Sequence, residues 1–148
     1  MQYSEGEIGR VFAIRLEHGE PMPQTLEDFA CDKDISAAVV FMLGGVDDDS
    51  RLVVGPEDGQ SLPVDPMSVA LSGVHEAAAV GMIFPDESGA PALHMHAACG
   101  RGRSTVTGCI RKGIVTWQVL EVVVIELVGV DAARLEDPET GFALLSMQ

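Results

Sequence analysis

The sequence predicts an α+β domain, in which a mainly antiparallel β-sheet carries one or two packed helices. Short runs rich in Val, Ile and aromatic residues follow one another with turn residues between them, which is typical of strands joined by short connections. No regular alternation of strand and helix indicates a parallel sheet. The chain has 148 residues, of which 47% are hydrophobic and 22% charged. That length and balance fit one compact core, so we expect a single domain over residues 1–148.

The individual elements are predicted from the spacing of apolar residues. Strand-like runs cover residues 11–17, 35–43, 52–54, 67–74, 77–84 and 115–128. Residues 35–43 are so apolar that we expect both faces of this strand to be buried, with its end at Gly44-Gly45. Residues 25–34 have the apolar stripe of a surface helix, with Thr25 as its cap. The β-branched run at 115–128 predicts a long strand near the centre of the sheet.

Composition limits the classes of function. The formal net charge is −14, from 9 basic and 23 acidic residues, so the chain repels phosphate backbones and direct DNA binding is disfavoured. The apolar runs are too short to span a bilayer and the first residues lack a signal-peptide pattern, so we expect a cytoplasmic protein without membrane contact. Three cysteines, an odd number without disulfide-framework spacing, fit a reducing compartment.

The stretch LHMHAACGRGRSTVTGCI predicts a hairpin with its two-residue turn at Gly102-Arg103. In this register Cys99 faces Val106 and Met95 faces Ile110, which makes one side of the hairpin apolar. His96 then lies opposite Cys109, about 5 Å away between Cβ atoms. A turn longer or shorter by one residue would move Cys109 to the other side.

His94, His96 and Cys109 are therefore the predicted metal ligands, because residues two apart on a strand project from the same face. Two imidazoles and a thiolate suit Zn²⁺ or a similar divalent metal, and a fourth position stays open for water or a small ligand. In the alternative interpretation both histidines are ordinary polar residues and Cys109 packs as a small apolar one.

Glu121 is the one catalytic candidate, because it interrupts an apolar strand. A carboxylate there must reach water, pair with a base such as Arg15, or serve a ligand, and exposure at a sheet edge is the simplest of these outcomes. No serine nucleophile elbow and no glycine loop for phosphates are present, so we expect no nucleotide cofactor.

The order of motifs GRVFAIRLEHGE, LEDFA, AAVVFMLGGV, LHMHAACG, TGCIRKGIV, EVVVIEL and DPETGFALL resembles the plants-and-prokaryotes conserved (PPC) domain over nearly the whole chain. The resemblance implies an antiparallel-sheet domain that assembles as a homotrimer, with paired histidines and a third histidine on the next strand forming a metal site. This chain has Thr107-Gly108-Cys109 where the family pattern is similar to Gly-Gly-His, so the implied set becomes His94, His96 and Cys109.

The resemblance leaves three hypotheses for function. The first is a non-catalytic, trimeric binding or regulatory module with a metal or small-ligand site, and a small ligand or a protein as further partner. The second is a metal-dependent enzyme acting on a small metabolite, with Glu121 as general base. The third is the DNA-binding role associated with the family. Arg101-Gly102-Arg103 resembles an AT-hook core, but it lacks the following proline and lies in the predicted hairpin.

Overall fold

The computed structural model of the chain describes residues 1–62 and 64–147. The strands in these ranges are β1 (Glu7–Glu17), β2 (Pro21–Met22), β3 (Ala38–Val46), β4 (Arg51–Pro56), β5 (Pro66–Ala70), β6 (His75–Pro85), β7 (Pro91–Arg101), β8 (Ser104–Cys109), β9 (Ile114–Val128), β10 (Ala132–Glu136) and β11 (Ala143–Met147). In the same ranges the α-helix α1 (Gln24–Asp32) follows β2, and a 3-10 turn at Ile110–Lys112 follows β8. The predicted α+β class is confirmed.

Every strand pairing is antiparallel among the residues that the structure describes. The main sheet has the order β1-β9-β3-β6-β7-β8-β4-β5, with β2 added beside β9, while β10 and β11 form a separate hairpin. The long strand β9 pairs with both β1 and β3 and is therefore interior, but it lies one strand from the edge and not near the centre of the sheet as predicted. Among the described residues, four of the nine strand pairings (β4–β5, β6–β7, β7–β8 and β10–β11) join strands that follow one another along the chain, and the other five join strands that are distant in sequence.

One hydrophobic cluster holds the sheet together. Side chains from strands near opposite ends of the strand order, such as Leu16 of β1 and Leu52 of β4, belong to the same cluster, so the sheet curls around it. Helix α1 contributes Leu26 and Ala30, the stripe that the sequence indicates. The predicted cap is wrong: the helix starts one residue earlier, and the Thr25 hydroxyl donates to the Pro21 carbonyl instead.

The prediction that both faces of β3 are buried, and that the strand ends at Gly44-Gly45, is wrong. The strand continues through Gly44-Gly45 to Val46, and only alternate residues are buried from Ala38 to Leu43. Phe41 is 45% exposed and Leu43 is 57% exposed. Together with apolar neighbours on adjacent strands these side chains form what we call the exposed apolar face, which consists of Val11, Phe41, Leu43, Val80, Met82 and Val123.

The β10–β11 hairpin is anchored to the main sheet by a second, smaller cluster. Ala132 packs there with Ala37 and Phe84, and Leu145 and Met147 of β11 pack against them. This anchoring places the hairpin beside the last residues of β6. These residues pair with the first residues of β7, the strand that carries His94 and His96. No helix in the described part of the chain is both long and apolar enough to cross a bilayer.

Candidate metal site

The β7–β8 hairpin has the register that the sequence predicts. The turn lies at Gly102-Arg103, where the positive φ of 63° at Gly102 is a conformation that glycine adopts without strain. Cys99 pairs with Val106, and His96 pairs with Cys109. One predicted pair is absent, because β8 ends at Cys109 and Ile110 enters the 3-10 turn, so Met95 has no strand partner there.

Gly108 allows β4 to approach this strand closely. A Cβ atom on Gly108 would lie 2.5 Å from the carbonyl oxygen of Val53 and 3.2 Å from the Leu52 Cβ. Val53 is the residue of β4 that pairs with Cys109. Only glycine at position 108 therefore lets the β4 backbone pair beside Cys109, a residue that is 5% exposed.

The three candidate ligands meet on the outer side of the hairpin. One ligand atom from each of His94, His96 and Cys109 lies within 4.8 Å of the other two. The Nε2 atoms of the two histidines are 3.2 Å apart. Tetrahedral Zn²⁺ with Zn–N bonds of about 2.05 Å separates two nitrogen ligands by roughly 3.3 Å and a nitrogen from a sulfur by roughly 3.6 Å. The histidines have this spacing already, and a movement of about 1 Å by one side chain would complete the set.

The electrostatic surroundings favour a neutral His94. Burial lowers the pKa of His94, and the positive charges of Arg134, His96 and Arg111 lower it further. A neutral imidazole offers the lone pair that a metal requires. Cys99, on the opposite side of β7, is a different case, since burial alone raises its pKa to about 11 and its thiol packs in the core.

A cleft of about 540 Å³ opens directly over the three ligands. Its lining includes Val53–Pro56, Val64 and Pro66, which we call the β4–β5 arm, and it also includes Phe142 with the first residues of β11. Its walls are mostly apolar, and its charged side chains are Arg111 and Arg134. Although the chain has 23 acidic residues, none is among the described residues that line this cleft. The cleft is thus locally basic in an acidic protein.

Arg134 is the functional candidate that the sequence did not reveal. It is only 6% exposed, and its Nε and Nη2 atoms are buried without a hydrogen-bond partner among the residues that the structure describes. Burial lowers the pKa of Arg134, partly offset by the nearby Cys109 sulfur. The flanking Ala132, Ala133 and Leu135 are a weak sign of burial in the sequence. The position of the guanidinium beside the ligands depends on how the hairpin docks.

The motif Asp137-Pro138-Glu139-Thr140-Gly141-Phe142 forms the turn between β10 and β11. The carboxylate of Asp137 accepts hydrogen bonds from both the backbone and the hydroxyl of Thr140, and these bonds lower the pKa of Asp137. The Asp137 N–H donates to the carbonyl of Phe142. The turn thereby places the Phe142 ring in the cleft wall, where the guanidinium of Arg111 lies 5.4 Å from its centre.

Glu121 is exposed on the sheet, but it does not lie at the edge and the fold does not bring it to the cleft. It is on β9, and β3 and β6 separate that strand from β7. Three inter-strand steps of about 4.8 Å put it roughly 14 Å from β7, at the level of Ala98 and not of His96. Its cross-strand partner is Arg15, whose guanidinium bonds to Glu17 instead.

The two arginines of the hairpin turn have different surroundings. Arg101 donates a hydrogen bond of 2.7 Å to the Val74 carbonyl, and its guanidinium covers Gly73. Arg103 is exposed at the turn. A mobile arm that could enter a minor groove is therefore not formed by this segment, which is paired β-structure on both sides of the turn.

The fold matches several solved structures along almost its full length. A metal-containing protein from Archaeoglobus fulgidus is 26% identical, with a TM-score of 0.83 and coverage of 99% of both chains. A plant- and prokaryote-conserved protein from Pyrococcus horikoshii is 20% identical, with a TM-score of 0.84 over 100% of this chain and 99% of that one. A candidate DNA-binding protein from Ralstonia eutropha is 23% identical, with a TM-score of 0.68 over 92% and 90%.

A search of curated proteins finds no match. The model of the Plants and Prokaryotes Conserved (PCC) domain, which is the PPC domain of the sequence resemblance, matches residues 3–128. The matched range contains the hairpin with all three candidate ligands but ends before Arg134. On the strength of that match, this chain belongs to the Plants and Prokaryotes Conserved domain family.

Proposed function

We propose that the chain is a metal-binding module, which assembles as a homotrimer and acts by binding rather than by turnover. The observation that carries the proposal is the convergence of two imidazoles and one sulfur, with ligand atoms within 4.8 Å of one another, at the bottom of an open cleft. His94, His96 and Cys109 would hold the ion, and the cleft gives its fourth position room for a small ligand. The metal-containing relative from Archaeoglobus fulgidus supports this assignment.

Zinc is the metal that this ligand set favours, because two nitrogens and a thiolate match its borderline-soft character and its tetrahedral geometry. Once bound, such an ion supplies a Lewis-acid centre that attracts an oxygen ligand. The cleft offers no carboxylate general base among its described lining residues, and Glu121 lies about 14 Å from β7 along the sheet. These two points favour binding over metal-dependent catalysis.

The metal assignment is tested by measuring zinc per chain by elemental analysis after loading and desalting. Wild type should retain about one zinc per chain, and His96→Ala and Cys109→Ala should lose most of it. His18→Ala and Cys31→Ser are matched controls, because they remove an exposed histidine and an exposed cysteine outside the site. Wild type that stays free of metal after loading, or variants at His96 and Cys109 that retain it, would refute the assignment.

Association between copies of the chain is supported by the exposed apolar face, and the number of three subunits comes from the family resemblance. Six large apolar side chains share this face of the sheet, and Val80, which lies between His96 and Phe41 across the strands, is 54% exposed. A contiguous apolar surface of this kind marks a site where protein chains associate. A charge placed in the middle of it should separate the subunits, because burying an unpaired carboxylate is costly.

Light scattering tests the assembly. Wild type should have three times the mass of one chain, and Val80→Asp should shift toward the monomer. Leu62→Asp is the control, since it introduces the same charge at an exposed apolar residue in the loop between β4 and β5. A monomeric wild type at micromolar concentration would exclude the trimer.

DNA binding by the domain itself is disfavoured in this proposal. The net charge is −14, and Arg101 is already engaged with the backbone of Val74. A mobility-shift experiment with duplex DNA at low salt should therefore show no complex. Salt-sensitive binding that weakens in Arg103→Ala would instead support the DNA-binding hypothesis.

A further inference from the structure

The cleft contains a buried cation that lacks a partner. Arg134 is 94% buried, and its Nε and Nη2 atoms have no hydrogen-bond acceptor within residues 1–62 and 64–147. A buried polar group without a partner is costly, and for a charged group the cost is larger. Such a group is rare in native proteins, and a ligand or ion that satisfies it is one of the recognised explanations.

The two unsatisfied atoms identify the shape of the missing partner. Nε–H and Nη2–H lie on one edge of the guanidinium and point in parallel, which is the arrangement that binds the two oxygens of a carboxylate. This edge is sealed from water in the ligand-free chain. Binding of an anion therefore requires the guanidinium to rotate toward the cleft that Arg134 lines.

The residues that line the cleft favour an organic anion over an inorganic one as the ligand. The lining has Arg111 and Arg134 as its charged residues and no described acidic one, so it favours negative charge. Most other lining side chains are apolar, among them Val53, Leu93 and Phe142. A fully hydrated anion such as phosphate would leave these walls unused, whereas an alkyl chain would bury against them.

We infer that the cleft binds a small organic carboxylate, which is held between the fork of Arg134 and the ion coordinated by His94, His96 and Cys109. The metal ion is the second of these two groups, so the inference rests on the proposed function. The carboxylate fits that ion because a hard oxygen donor would complete the fourth position of a three-ligand zinc site. The alkyl portion then extends along the apolar wall formed by the β4–β5 arm and β11.

Calorimetric titration of the zinc-loaded protein with sodium butyrate, acetate and inorganic phosphate tests the inference. Butyrate should bind more tightly than acetate, because each additional buried CH₂ contributes about 0.8 kcal/mol, or roughly fourfold in affinity. Phosphate should bind least. Arg134→Met should weaken butyrate binding by about 10- to 100-fold, and Arg134→Lys should restore little of it because lysine lacks the fork.

Arg103→Met is the matched control, because it removes an exposed arginine at the hairpin turn and should leave butyrate binding unchanged. Thermal unfolding distinguishes a binding role from a structural one. Without ligand, Arg134→Met should be as stable as wild type or more stable, because an unpaired buried charge has been removed. It should also lose the increase in melting temperature that butyrate gives wild type.

The failures of the two proposals are distinguishable. If the proposed metal site is wrong, elemental analysis finds no zinc in the wild type. If zinc content is normal but butyrate does not bind, or binds equally to Arg134→Met, the carboxylate inference is overturned. Preference for phosphate over butyrate would also overturn it, since the apolar wall would then have no role.

Discussion

Replacing Gly108 by alanine should damage the site through the backbone rather than through a ligand. The added Cβ would lie 2.5 Å from the Val53 carbonyl oxygen, whereas ordinary contacts begin at 3.4 Å. The β4 and β8 backbones must therefore separate by about 0.9 Å, the difference between those distances. The Val53 carbonyl oxygen belongs to the backbone and not to a flexible side chain, so a change of rotamer cannot relieve the clash. Overpacking of this kind costs about 1–3 kcal/mol.

The experiment compares Gly108→Ala with Gly100→Ala by urea unfolding at one protein concentration. Gly100 lies in the same hairpin, and a Cβ there would be 3.6 Å from the nearest atom, which is an ordinary contact. Both changes reduce the freedom of the unfolded chain equally, a gain of about 0.4–1 kcal/mol. Gly100→Ala should thus be neutral or stabilising, and Gly108→Ala less stable than it by about 1–3 kcal/mol.

The zinc affinities of the two variants should differ in the same direction as their stabilities. Cys109 adjoins Gly108 and pairs with Val53, so a displaced β4 moves the sulfur ligand relative to His96. Gly108→Ala should bind zinc more weakly than Gly100→Ala in a competition titration with a chelating dye. Equal stability and equal zinc affinity in the two variants would refute the argument from close approach.

Three further predictions concern the core, an ion pair and the sulfur ligand. Met95→Ala should cost about 2–5 kcal/mol in urea unfolding, because Met95 is fully buried beneath the two histidines, and a loss below 1 kcal/mol would contradict that packing. Hydrogen bonds from Arg10 lower the pKa of Glu126 from 4.5 to about 2. Because the folded-state pKa is the lower one, the stabilisation is complete above about pH 4.5 and is lost as the pH falls toward 2. Glu126→Gln should therefore melt below wild type at pH 7 and close to it at pH 2, whereas a constant difference would exclude this ion pair as the cause. Cys109→His should still bind cobalt(II) but lose the sulfur-to-metal charge-transfer absorption, and its persistence would show that the sulfur comes from another residue.

Local sequence information was enough to predict the hairpin and its three candidate ligands. A two-residue turn at Gly102-Arg103 fixes which residues face each other, and the alternation of strand side chains fixes which share a side. The same reasoning failed where burial depends on distant segments. Residues 38–46 are as apolar as a strand covered on both sides, yet Phe41 and Leu43 face outward because nothing else in the described chain packs over that face.

The helix cap and the end of β3 show a second limit. Thr25 and Gly44-Gly45 are suitable residues for a cap and a strand end, but the chain uses neither in that way. Propensity of this kind amounts to about 1 kcal/mol or less per residue, which the packing of α1 and the pairing of β3 with β6 and β9 readily exceed.

The sequence alone determined the antiparallel α+β class, the acidic charge and the meeting of His94, His96 and Cys109, because each follows from neighbouring residues or from composition. Only the tertiary structure decided that Glu121 lies strands away from these ligands and that Arg134 lies beside them. Both outcomes depend on the order of strands in the sheet and on the docking of the β10–β11 hairpin. Those contacts join residues far apart in the chain, so the spacing of neighbouring residues does not predict them.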